Sequence, residues 1–180
     1  MTILQANLAT SLLLIALGVP LLFNHPVIRR LVLRFPRSKT AAGITMVLGT
    51  AWFLMAHVGN LSNADFGEYK ILITVLSLLI LVLSYIYLPD FLAVRGASIL
   101  VLLFAREALD AAFQQYQYPS RLFMVSVVYL AIMAALYFSA WPYRLHDFLE
   151  WMFHKDTRSR TMGTAMVCFG VLLGIIAFGY

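Results

Sequence analysis

The run ILITVLSLLILVLSYIYL, residues 71–88, holds no charged residue, and its reading decides the fold. At 1.5 Å per residue, a helix of that length covers most of the roughly 30 Å of hydrocarbon in a bilayer. Strands of a membrane barrel would alternate apolar and polar residues, and this run does not. A helix pairs its own backbone groups, which lipid leaves without partners, so it is the economical form.

Working outward, five further runs read the same way: Leu4–Phe23, Thr40–Val58, Phe91–Phe113, Leu122–Trp141 and Thr161–Phe178. Together they predict an all-α, polytopic membrane helix bundle with six spans, forming a single transmembrane domain over residues 1–180. The composition agrees, with 62% hydrophobic and 12% charged residues and a mean hydropathy of +0.87. An ordinary soluble domain has about 45–50% apolar and about 25% charged residues. These values exclude a disordered chain, a basic nucleic-acid-binding domain and a typical soluble enzyme. A single cysteine excludes a disulfide framework and a cysteine-ligated metal cluster within the chain. The first run lacks the basic start and small-residue cleavage site of a signal peptide, so it reads as a span.

Orientation follows from the basic residues of the short loops. One side collects Arg29, Arg30, Arg34, Arg37, Lys39, Arg95, Arg144, Lys155, Arg158 and Arg160; the other holds Lys70, Arg106 and Arg121. The richer side is predicted to be cytoplasmic in the cell membrane, which places both termini outside. The net charge of +5 then reflects topology and contact with anionic headgroups. Nucleic acid is not an expected partner. On the outer side, the loop Gly59–Lys70 carries Asp65, Glu68 and the formal sequon Asn60-Leu61-Ser62, which lies too close to the membrane to count as a glycosylation site.

The two basic loops resemble each other. His25-Pro26 and Trp141-Pro142 follow the first and fifth spans, and each Pro stops the preceding helix. Amphipathic stretches come next, at about 26–36 and 143–156. In the first, Val27, Ile28, Leu31, Val32 and Phe35 share helical spacing; in the second, Leu145, Phe148, Leu149 and Met152 do so. Such segments are expected to lie flat among headgroups, with Trp141, Tyr143 and Trp151 in the aromatic belt. Both loops return to the membrane through similar text, Arg37-Ser38-Lys39-Thr40 and Arg158-Ser159-Arg160-Thr161, in which Ser or Thr is placed to cap the next helix. One reading is a duplicated span–elbow–span unit. The other is that any return to the membrane favours basic anchors, a cap and small residues.

The fourth span is the least apolar. Arg95, Arg106 and Asp110 fall on one stripe at about 100° per residue, with Glu107 beside them. Arg106 and Asp110 stand one turn apart, where they can pair. Charge at membrane depth points by default to a functional or packing interior. Only Gly96–Ala105 separates the two arginines, about 15 Å of helix, so both can snorkel toward opposite surfaces. One reading is an outer vestibule where Glu107 or Asp110 meets a cation, a proton or a polar solute. The other is a structural ion-pair cluster closed by Gln114, Gln115, Lys70 or the Asp65–Glu68 loop.

The remaining candidates are sparse. His57 has no depth-matched histidine, so no haem is expected. His146, Glu150 and His154 fall at i, i+4 and i+8, a spacing open to a metal, yet a solvated polar face is the plainer reading. No catalytic motif, metal or cofactor is expected. Gly163, Gly170 and Gly174 form a small-residue stripe suited to close helix packing, within the bundle in preference to a partner chain. Cys168 is expected to be buried and inert. The leading expectation is a non-catalytic membrane subunit that packs with lipids, with other membrane chains or with itself. An ion or solute transporter or channel using the fourth-span vestibule is the alternative, and a membrane-embedded lipid-modifying enzyme is the second alternative.

Overall fold

The computed structural model describes residues 1–62 and 67–179; the expectation for Asp65 lies outside them. The chain is 85% helical, with no strand among the described residues. The helices are α1 (Ile3–Phe23), α2 (Pro26–Arg34), α3 (Lys39–Trp52), α4 (Lys70–Tyr87), α5 (Leu92–Ala112), α6 (Arg121–Ala140), α7 (Pro142–Phe153) and α8 (Asp156–Ala177). Among the described residues, five helical stretches are long and apolar enough to cross a membrane: Ile3–Phe23, Lys39–Val58, Gly67–Tyr87, Arg121–Ala140 and Asp156–Ala177. α5 is also 21 residues long. Its four charges keep it out of that group, so length and apolarity alone support five spans.

Local chemistry sets most of the boundaries. Thr2 and Gln5 form a capping box at the start of α1. α1 ends because Asn24 turns left-handed, at φ 45°, and Pro26 then opens α2 at a position where its missing N–H does no harm. Pro142 opens α7 in the same way. Ser38 caps α3, its Oγ accepting from the Ala41 N–H at 3.2 Å.

The matching Ser159 does not cap a helix, which corrects the reading of the second loop. α8 begins at Asp156, so Arg158, Ser159 and Arg160 lie inside its first two turns. The second loop is therefore a two-residue turn between α7 and α8, and the two elbows differ at their return. Another difference from expectation lies at the end of the second apolar run. Phe53–Val58 widens into a π-helix, in which the Gly59 N–H donates to the Leu54 carbonyl at 2.8 Å.

The contacts group into two compact units. The first comprises residues 1–33, 104–134 and 146–180. Its core is built of small residues, Ala6, Ala105, Ala108, Ala111 and Ala112, closed by Met124, Val128 and Leu173. α1 and α8 run antiparallel within it. Asn7 Nδ2 donates to the Leu173 carbonyl at 2.8 Å, Ser11 Oγ to Gly170 at 2.6 Å, and Ser159 Oγ to Leu21 at 2.9 Å. At the far end, Asn24 Nδ2 donates to Asp156 Oδ1 at 2.7 Å. Between these bonds the backbones nearly touch. A methyl group on Gly163 would lie 2.6 Å from the Leu22 nitrogen and 2.8 Å from the Gly18 oxygen. Small residues permit this approach, which lipid-exposed helices need because no hydrophobic drive pulls them together.

The second unit comprises residues 34–103 and 135–145. Ala42 and Met46 of α3 meet Leu92 and Ala93 of α5, with Leu81 of α4 packed against them. α4 contributes no buried residue.

Candidate functional site

The four charges of α5 do not converge on one buried point. Arg95 is half-buried, as is Glu107. Arg106 Nε stands 3.8 Å from Asp110 Oδ2, but the two side chains are 60% and 72% exposed. A pair this open contributes only about 0.3–0.5 kcal/mol in water. Beyond Asp110 the helix ends, with Gln114 at φ 59°. Arg121 donates from Nη1 to the Ala112 carbonyl and lies 4.8 Å over the Tyr116 ring, so it closes the C-terminus of α5. Gln115 Oε1 accepts from Gln117 Nε2 at 2.7 Å. Lys70 Nζ donates to the Gly59 carbonyl at 3.2 Å. The polar groups expected to gather around α5 are thus largely used by local backbone and neighbouring side chains.

The histidines are dispersed. His57 lies in the π-helical turn, with its ring edge-on to Phe53 at 6.0 Å. His25 Nδ1 accepts from the Val27 N–H. His146 Nδ1 is 3.7 Å from Glu150 Oε1, and among the described residues no three His, Cys, Asp or Glu side chains stand close enough to hold a metal. Asn60 Nδ2 donates to the Ala56 carbonyl at 2.9 Å, so the sequon amide is engaged with its own helix turn. Cys168 is exposed, not buried. It sits across α8 from Gly163 and Gly170, which face α1, and the expectation of a core thiol is corrected by that geometry.

The basic loops give the most organised chemistry. Three arginines lie over aromatic rings: Arg37 over Phe91 at 5.4 Å, Arg144 over Tyr143 at 5.7 Å, and Arg158 over Trp151 at 4.4 Å. Arg158 also donates from Nη1 to the Trp151 carbonyl at 3.2 Å. Among the described residues, none of Arg29, Arg30, Arg34, Arg37, Lys39, Lys155, Arg158 and Arg160 has a carboxylate partner. α2 buries no residue, whereas α7 buries Leu149, Met152 and Phe153. Below these helices an apolar groove of about 270 Å³ opens, walled by α1, α2, α7 and α8. A second apolar groove, of about 360 Å³, lies between α3 and α4. A broad polar cleft of about 630 Å³ follows the Thr157–Thr161–Thr164 face of α8.

Gly163 and Gly170 face α1 closely, but Gly174 is less confined: a methyl group there would meet Ser11 Oγ at 3.1 Å. The matching face of α1, Asn7, Ser11 and Gly18, is absent from the sequence expectations. Its signal was present in the helical spacing of polar and small residues within an apolar run. The groove was not legible because it needs four helices to assemble.

Comparison with protein-family models, with curated proteins and with solved structures finds no match to this chain. The fold and its chemistry define the class: an all-helical chain with several helices able to cross a membrane.

Proposed function

We propose that this chain is a non-catalytic integral membrane subunit of six spans, with both termini outside and its basic loops at the cytoplasmic headgroups. Its role is to pack with lipids and with other membrane chains. α5 supplies the sixth span. The antiparallel pairing of α1 and α8 supports this count. If α1, α3, α4, α6 and α8 cross in turn without α5, α8 points the same way as α1. A crossing by α5 restores the antiparallel sense. Arg95 near one end and Asp110 near the other leave a mainly apolar stretch between the two surfaces, and the exposed Arg106 can snorkel.

The observation that carries the packing role is α4. Its 18 residues are almost entirely apolar and none is buried, so its surface needs lipid or another chain as solvent. Basic residues without acidic partners then face anionic headgroups, where each contributes about 1 kcal/mol near the surface.

Extraction with a native lipid shell, followed by mass spectrometry of the intact particle, tests this role. A mass above that of one chain, with retained lipid or further chains, is the expected result. A bare monomer would remove the proposal's main support. In the same preparation, Glu107→Gln with Asp110→Asn is expected to lower assembly or stability without changing solute or proton flux in proteoliposomes. A changed flux at unchanged fold would favour a transporter.

A further inference from the structure

We infer that the groove between α1, α2, α7 and α8 binds one acyl chain of an anionic phospholipid, with the headgroup held at its rim by Arg158 and Arg29. This deepens the proposed role and rests on its placement of α2 and α7 at the headgroup layer.

The walls are wholly apolar. Pro20 of α1, Val32 of α2, Phe148 and Met152 of α7, and Met162 and Met166 of α8 supply them. Pro20 has no N–H, so this stretch of α1 lacks the usual donor to the Ala16 carbonyl. Three of the walls are methionines, whose unbranched, polarisable side chains adapt to an irregular chain better than branched residues do. The volume of about 270 Å³ is near the lower end for small-molecule sites, about 300 Å³. That suits part of an acyl chain whose remainder stays in the bilayer.

The rim is cationic, and one cation there is held in place. Arg158 precedes Met162 by one turn of α8, so both belong to the same face. Its guanidinium is fixed over Trp151 and by its bond to the Trp151 carbonyl. Trp151 stacks on the groove wall itself, with its ring 6.1 Å from that of Phe148 at 24°. On α2, Arg29 precedes the groove residue Val32 by three positions, a spacing that also keeps the two on neighbouring parts of one face. Neither arginine has a carboxylate partner among the described residues. Asp156, at the start of α8, accepts from Asn24 instead. An apolar slot beside two unneutralised cations selects a ligand with an apolar tail and an anionic head. A soluble anion would use the rim alone, and a neutral lipid the slot alone.

The adjacent Trp151 provides the readout. With Trp52→Phe and Trp141→Phe, Trp151 is the remaining tryptophan of the three. The full chain is reconstituted in phosphatidylcholine vesicles containing phosphatidylglycerol brominated in its acyl chains. Quenching is expected to saturate at an about thirtyfold lower mole fraction than with brominated phosphatidylcholine, since two cations facing one anionic head contribute about 2 kcal/mol. Met162→Phe and, separately, Ala16→Leu are expected to fill the groove and abolish the saturable phase. Arg29→Ala is expected to reduce the preference for the anionic lipid to about fivefold, the share of the one remaining cation. Arg158→Ala repeats that test at the other rim position, with circular dichroism checking the helix content of every variant. Equal quenching by the two lipids overturns the site while leaving α7 at the bilayer. So does a saturable phase that survives both groove-filling variants. No quenching by either lipid removes α7 from the bilayer, and the parent reading falls with the site.

Discussion

Asn24 carries two jobs in one side chain. Its backbone adopts φ 45° to stop α1, and its amide donates to Asp156 across the turn into α8. Asn tolerates the left-handed region better than other residues with a Cβ, which pay about 1–2 kcal/mol there. Asn24→Ala is therefore expected to destabilise the folded chain by about 1–2 kcal/mol, through strain and a lost hydrogen bond. Asn24→Gly should lose less, because it keeps the turn and removes only the bond. Thermal unfolding midpoints in detergent separate the two, and equal losses would show that the turn contributes nothing. Gln114 gives the opposite sign. It is left-handed at φ 59° and exposed just beyond α5, so Gln114→Gly is expected to raise stability by about 1 kcal/mol in the same measurement. Neither position was legible as left-handed. Left-handed turns are usually marked by glycine, and the sequence places Asn, Phe91 and Gln at these three points.

At the scale of elements, the α1–α8 pair ranks its own glycines. The Gly163 methyl position meets backbone atoms at 2.6 and 2.8 Å, and backbone cannot swing aside. That of Gly174 meets only a serine hydroxyl at 3.1 Å, which can rotate. Gly163→Ala is expected to cost about 1–3 kcal/mol by forcing the helices apart, and Gly174→Ala is expected to be tolerated. A denaturation series in mixed micelles checks the order, and equal effects would contradict the close approach. The two loop serines also part company. Ser38→Ala removes a helix cap, worth about 1 kcal/mol. Ser159→Ala removes a bond to Leu21, one of the terminal carbonyls of α1 that lack helical donors. The first should leave the α1–α8 pair intact and the second should weaken it, which crosslinking between cysteines placed at Leu22 and Met162, in a Cys168→Ala background, reports. Sequence reading located most of the helices able to cross a membrane because the length and apolarity that define them are read directly from the residues. It misplaced the start of α8 because hydropathy reports the solvent. α8 keeps its backbone bonds through polar residues such as Asp156 and Arg160, which an apolar run does not include.

For the whole molecule, the parity of crossings links the charges of α5 to the fate of both basic loops. With six crossings, Arg29–Lys39 and Arg144–Arg160 share one face, as the bias of basic residues toward the cytoplasm requires. With five, the chain turns over between them, and the second basic loop falls on the opposite face from the first. The charges of Arg95, Arg106, Glu107 and Asp110 make α5 the weakest candidate by composition, although its crossing decides the rest. Single cysteines at Arg30, Lys155 and Gln117, in a Cys168→Ala background, distinguish the two arrangements, since all three positions are exposed. An impermeant maleimide applied to sealed vesicles of known orientation is expected to label Arg30→Cys and Lys155→Cys from the cytoplasmic side, and Gln117→Cys from the other. Labelling of Gln117→Cys together with Arg30→Cys would keep α5 on one face and send Lys155 to the other. It would also leave α8 parallel to α1, in conflict with bonds that join Asn7 to Leu173 and Leu21 to Ser159. The labelling pattern and the α1–α8 register must therefore stand or fall together.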